Sequence, residues 1–248
     1  MTGSDSPRPG LAIEAVALTK EYVAGARAVD EIDLRVRYGS VYCLLGRNGA
    51  GKSTTIRMLT TLLPPTAGEA SVAGVSIRRP MEVRPSIGVA LQDVAMDPAM
   101  SAIEHLDLAM RLAGVPRKEM PDRRDDMIER FGLSSFAGRP TGDLSGGMRR
   151  RADIALAVVN EPVVLFLDEP STGLDIEGRD EVWKVIGDLR AEGRTVLLST
   201  HDMDEAVALS DEVGIMKDGR IVLEGDPEEL TGGTGGKGLR EVFLESTR

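Results

Sequence analysis

Gly46-Arg47-Asn48-Gly49-Ala50-Gly51-Lys52-Ser53-Thr54 is the stretch on which the reading of this chain turns. It has the form Gly-x-x-x-x-Gly-Lys-Ser/Thr and follows a β-rich apolar run, residues 41–45. It opens an amphipathic helical run, 52–63, with Ile56, Leu59 and Leu63 on one face. Strand, glycine loop and helix start together make the match meaningful. Glycines let the backbone curl so that its N–H groups converge on an anion, and the helix N-terminus adds positive potential. Lys52 is placed to reach β- and γ-phosphates, and the Ser53 hydroxyl to ligate Mg²⁺.

Further along, Val163-Val-Leu-Phe-Leu-Asp168-Glu169 reads as a buried strand ending in two carboxylates. In a parallel sheet such a strand delivers its end to the crevice beside the phosphate loop. Asp168 would then hold Mg²⁺, and Glu169 would take a proton from an attacking water. Without the phosphate loop these acids would read as a solvated turn. His201 ends the next strand, 195–199, within Ser199-Thr200-His201-Asp202. His105, mid-helix, has no assigned role. Leu144-Ser145-Gly146-Gly147-Met148 opens another helix, a capping Ser followed by exposed backbone N–H groups, and so forms a second anion site. The Arg149-Arg150-Arg151 run that follows is expected to be a solvated basic face.

Around these motifs β-rich runs (11–18, 28–36, 69–77, 87–91) alternate with helical periods (175–191, 202–210), as expected of an α/β fold with a mainly parallel sheet. Residues 101–159 read as nearly pure helix, including 122–131 and 145–159. Asp218-Gly219 is a two-residue hairpin signal between 212–217 and 220–224. Residues 1–10 are expected to be a flexible leader rather than a signal peptide, and 231–248 a Gly-rich linker with a short terminal helix at 239–244.

The composition narrows the class. The 248 residues are 42% hydrophobic, enough for a core without disulfides, and the lone Cys43 reads as a small apolar core residue. No apolar run approaches the ~20 residues of a membrane helix. A net charge of −10 and 3% aromatic residues argue against nucleic acid as a partner. No Asn-Lys-x-Asp guanine reader accompanies the phosphate loop.

With these pieces in this order, residues 11–229 resemble the nucleotide-binding subunit of an ATP-binding cassette (ABC) transporter. Residues 46–54 match that family's Walker A loop and 163–169 its Walker B strand. Leu144–Met148 match the signature loop, and Ser171-Thr172-Gly173-Leu174-Asp175 the D-loop. Gln92 is similar to the Q-loop glutamine and His201 to the switch histidine. Tyr22 stands where the family stacks an aromatic on adenine, with Tyr38 and Tyr42 as rivals. The signature departs from the family in ending with Met148 rather than Gln, and Arg47 replaces a common Pro. The Gly-Gly-Met-Arg-Arg-Arg run most resembles the drug- and polysaccharide-exporting branch, including daunorubicin-resistance-type ATPases.

The resemblance implies a P-loop NTPase (RecA-like) core with an antiparallel β subdomain and an α-helical subdomain inserted at about 94–160. It implies an ATPase using ATP and Mg²⁺. Gly46, Arg47, Asn48, Gly49, Ala50, Gly51, Lys52, Ser53, Thr54, Tyr22 and Gln92 would hold nucleotide, with Ser145, Gly146 and Gly147 capping it from a second copy. Ser53, Gln92 and Asp168 would serve the metal, and Glu169 and His201 the chemistry. Its partners would be a second cassette, an identical one by expectation, and a separate multispanning permease that holds it at the cytoplasmic face of the membrane. The alternative is an ABC-type ATPase acting on nucleic acid or ribosomes, whose DNA-repair forms carry longer insertions and whose translation forms carry two cassettes.

Overall fold

The computed structural model describes residues 10–22, 25–232 and Phe243. In chain order the elements are β1 (Leu11–Glu21), β2 (Arg27–Arg37), β3 (Val41–Gly46), α1 (Lys52–Leu59), β4 (Ala67–Val72), β5 (Val75–Ser76) and α2 (Pro80–Val83). Then come β6 (Ile87–Ala90), α3 (Ala102–Leu112), α4 (Met120–Arg130), α5 (Gly146–Ala157), β7 (Val164–Asp168) and α6 (Ile176–Ala191). The chain continues with β8 (Thr195–Thr200), α7 (Met203–Leu209), β9 (Glu212–Lys217), β10 (Arg220–Gly225) and α8 (Pro227–Gly232).

Two sheets carry the fold. One is antiparallel, in the order β2-β1-β4-β5. The other runs β10-β9-β3-β8-β7-β6 and is parallel except for the β9–β10 hairpin. Every residue of β3, β7 and β8 is buried, as expected of central parallel strands covered on both faces. Alternation sorts their side chains: Val41, Cys43 and Leu45 join the core shared with α3, α5 and α6, while Tyr42 and Leu44 join the core beneath β1 and β2. The register pairs Leu45 with Thr200, Asp168 with Ser199 and Ala90 with Leu167. Gly46, Asp168, His201 and Leu91 therefore leave the sheet at one edge.

Several boundaries differ from the sequence reading. The single strand expected at 69–77 is the hairpin β4–β5, because Ala73 (φ 52°) and Gly74 (φ 76°) form a two-residue turn with both φ positive. Asp218 (φ 47°) and Gly219 (φ 81°) do the same between β9 and β10, where a hairpin was expected. The helix from Lys52 stops at Leu59 rather than at 63: Thr61 takes φ 63°, and the N–H groups of Leu62 and Leu63 turn back to Arg57 O. At the C-terminal end, α8 carries helix to Gly232, past the expected start of the linker at 231. The remainder of the expected leader, linker and terminal helix lies outside the described residues, apart from Gly10 and Phe243.

Candidate functional site

The loop between β3 and α1 is held by backbone on both sides. Ala50 N–H closes on Arg47 O at 3.1 Å, and Gly219 N–H donates to Ala50 O at 3.0 Å, so the β9–β10 hairpin braces the loop from outside. Gly51 takes φ 109°, and a Cβ there would lie 2.4 Å from Ala28 O at the start of β2. Only glycine fits. Gly51 caps α1 without any side-chain hydrogen bond, and no acid sits in the first turn. The first N–H groups of α1 thus keep their donor capacity for an anion.

Lys52 is 5% exposed and its Nζ donates to Gly46 O at 2.7 Å, while Glu169 Oε1 lies 3.0 Å away. Ser53 Oγ donates to Asp168 Oδ1 at 3.0 Å, which brings together two of the three expected metal residues, and Ser199 Oγ donates to the same carboxylate oxygen. Glu169 sits just past β7 with φ 50°, an uncommon conformation for a non-glycine residue, and its N–H is fixed by Ser199 O at 3.0 Å. Its second oxygen, Oε2, accepts from Thr172 Oγ1 at 2.7 Å and lies 2.7 Å from His201 Nδ1. Burial alone would raise the pKa of this carboxyl. The hydrogen bond from Thr172, the Lys52 ammonium and the bond to His201 outweigh it and hold the pKa below the ordinary value.

The remaining expected residues are placed as follows. Gln92 lies exposed two residues beyond β6, at the sheet edge that carries Asp168. Tyr22 is 45% exposed at the end of β1 with Lys20 Nζ 5.7 Å from its ring centre, in the hairpin whose second strand meets Gly51. Tyr42 is no rival: it is fully buried and its hydroxyl donates to Glu224. Tyr38 packs half-buried against the core under β1 and β2. Ser145 caps α5 by accepting from Met148 N–H at 3.2 Å. A Cβ on Gly147 would meet Gly178 Cα at 2.7 Å, and one on Gly146 would meet Leu174. Among the described residues no hydrogen bond joins 145–147 to 46–54. His105 is structural: its ring ties Ser101 O to Asp97 N–H at the start of α3.

One expectation is overturned. Arg150 and Arg151 are not a solvated face but are 4% and 9% exposed. The Arg150 guanidinium donates to Leu91 O at 2.5 Å, Asp168 O at 2.9 Å and Pro170 O at 3.1 Å, and pairs with Asp153 at 2.9 Å. It joins α5 to the ends of β6 and β7, where free carbonyl oxygens leave the sheet and need donors. Arg151 is fixed by Gly132 O and Glu181. A run of three arginines does not say which of them faces inward. The structure also brings Thr172, Ser199 and Arg150 to this site, with contacts that the sequence does not announce. A hydroxyl three residues past Glu169 was the available signal for Thr172.

The arrangement offers an amide-lined anion cradle, a pair of hard oxygen donors, and a carboxylate held by an ammonium, a hydroxyl and an imidazole. The family profile described as ABC transporter matches residues 29–172, more than half of the chain. This chain belongs to the ABC transporter family, as an ATP-binding subunit. The ABC ATPase is 44% identical over 234 residues to the daunorubicin/doxorubicin resistance ATP-binding protein DrrA of Streptomyces peucetius, covering 94% of this chain and 71% of that protein. It is 40% identical to the Nod factor export ATP-binding protein I of Cupriavidus metallidurans, covering 87% and 71%. Among solved structures, cbiO1 of Clostridium perfringens, part of an ABC transporter complex, superposes with a TM-score of 0.82 at 32% identity, covering 95% of each chain. The ATP-binding cassette MJ0796, solved as a post-hydrolysis dimer with ADP and Pi, gives 0.78 at 25% identity, covering 86% of this chain and 98% of that one. The ABC ATPase therefore binds and hydrolyses ATP on a P-loop α/β core.

Proposed function

We propose that this ABC ATPase powers export, pairing head-to-tail with a second copy around two ATP molecules and driving a separate multispanning permease at the cytoplasmic face of the membrane. No described helix is long and apolar enough to cross a membrane, so the spans would come from the partner. Similarity to drug-resistance and Nod-factor export subunits supports export as the direction. The observation that carries the reading is the convergence on Glu169: ammonium, hydroxyl and imidazole meet one buried carboxylate beside the Ser53–Asp168 pair.

In this reading, N–H groups of 46–54 and the Lys52 ammonium hold the β- and γ-phosphates, and Tyr22 stacks on adenine. The donor set fits Mg²⁺: a hydroxyl and a carboxylate, both hard oxygens, lie 3.0 Å apart, with Gln92 at the same edge. Ser53 and Asp168 would hold Mg²⁺, which would supply positive charge against that developing on the phosphates. Glu169, kept ionised by its partners, accepts a proton from the attacking water as the water oxygen bonds the γ-phosphorus and the bond to the β-phosphate oxygen breaks. His201 holds Glu169 and donates toward the γ-phosphate, while Ser145, Gly146 and Gly147 of each copy cap the other's ATP.

Glu169→Gln tests this directly. Removing a positioned base is expected to slow hydrolysis by about 10²–10⁴-fold. ATP binding is retained, and the variant with MgATP sediments as a dimer. Near-normal hydrolysis in Glu169→Gln refutes the role of the base. Purification from membranes without any multispanning partner refutes the role in transport.

A further inference from the structure

Glu205 stands apart from the nucleotide-binding residues, in the first turn of α7, yet it is 1% exposed. Its Oε1 accepts from Ser171 Oγ at 2.7 Å and from Trp183 Nε1 at 3.0 Å. A carboxylate is buried this deeply only when donors surround it. Its backbone is fixed as well: Asp202 caps α7 and accepts from the N–H groups of Asp204 and Glu205.

Ser171 is followed in the chain by Thr172, and Thr200 by His201. Thr172 Oγ1 and His201 Nδ1 are the two groups that meet on Glu169 Oε2, each at 2.7 Å. The buried carboxylate thus grips the residue immediately before Thr172, while Thr200 is held by the N–H of Asp202, the residue that caps the helix carrying Glu205. Trp183, on α6, locks the same oxygen from behind.

We propose that Glu205 is a positioning residue for ATP hydrolysis: by clamping Ser171 it sets Thr172 on Glu169, without itself touching nucleotide. This rests on the reading of Glu169 as the base. The clamp acts on geometry at the reacting carboxylate, so losing it lowers turnover and leaves the hold on ATP, made by 46–54, intact. Trp183 is the chain's only tryptophan, so its emission reports on the clamp.

The test uses the full chain with MgATP and three variants, Glu205→Ala, Glu205→Gln and Ser171→Ala. Glu205→Ala is expected to lower kcat by about tenfold or more, with KM for ATP changed by less than about threefold. Its Trp183 emission changes as the indole loses its acceptor. Glu205→Gln keeps an oxygen that accepts from Ser171 and Trp183, and restores kcat to within about threefold of the unsubstituted chain. Ser171→Ala, which keeps the buried carboxylate, falls between and decides the matter if Glu205→Ala does not fold. Folded Glu205→Ala or Ser171→Ala with kcat within about twofold of the unsubstituted chain overturns the proposal, as does a rise in KM alone. Glu169→Gln separates the two failures. If it hydrolyses normally, the base reading itself fails; if it is inactive while Ser171→Ala and Glu205→Ala are normal, only the clamp fails.

Discussion

Arg150→Ala is the substitution whose effect on stability the structure defines best. The guanidinium is 4% exposed and supplies donors to the carbonyls of Leu91, Asp168 and Pro170 while neutralising Asp153. Truncation leaves buried carbonyls short of a donor and a buried carboxylate without its ion partner. Breaking one side of such a pair costs about 3–5 kcal/mol. For a chain of this size each kcal/mol moves Tm by roughly 2–4 °C, so the drop is roughly 6–20 °C. A lysine has one ammonium in place of a planar fork and recovers only part of this. The assay is urea unfolding at pH 7, followed by far-UV circular dichroism, with exposed Arg111→Ala as the control expected to stay within about 0.5 kcal/mol of the unsubstituted chain. If Arg150→Ala loses less than about 1 kcal/mol, the guanidinium is not the tie between α5, β6 and β7 described above.

Two further outcomes follow from neighbouring features. Burial pushes the Asp153 carboxyl up to about 6, against the pull of Arg150, from an ordinary 3.8. The folded chain holds that proton more tightly than the unfolded one, so this contribution to stability is full below the ordinary value and is lost as pH rises through about 6. The shift is worth roughly 3 kcal/mol in full, so the stability of the unsubstituted chain relative to Asp153→Asn should fall by most of that, about 2.4 kcal/mol, between pH 4 and pH 7. A difference that stays flat across this range contradicts it. At Gly51, alanine would place a Cβ 2.4 Å from Ala28 O at φ 109°, so Gly51→Ala should displace the loop and weaken ATP binding at least tenfold in a fluorescent-nucleotide titration. Unchanged affinity would show that the loop backbone is not what grips the ligand.

Much of the site could be read from the sequence because its motifs are local. The glycines, Lys52 and Ser53 lie within one turn, and the strand 163–169 announces itself by an apolar run that ends in acids. Parallel register then does the rest: Asp168 beside Ser199 and Leu45 beside Thr200 bring distant segments to one edge. What could not be read depends on partners far along the chain. Arg150 looks like its exposed counterparts until the carbonyls of Leu91 and Asp168 are known to point at it. Glu205 lies in a helical period that assigns it no role, and only the approach of Ser171 and Trp183 shows it to be a buried acceptor. The turn at Ala73-Gly74 escaped because alanine gives no sign of a positive φ. Tyr22 differs in kind: the structure leaves it accessible and buries Tyr42, which narrows the choice that the sequence left open.

In the proposed reading, residues 46–54, with Lys52 at their head, grip the phosphates of ATP. Isothermal titration of MgATP into the full chain and into Lys52→Ala tests it most directly. A saturable heat is expected with the unsubstituted chain, with a loss of affinity of at least tenfold when the ammonium is removed. Equal heats and equal affinities from the two folded proteins would contradict it.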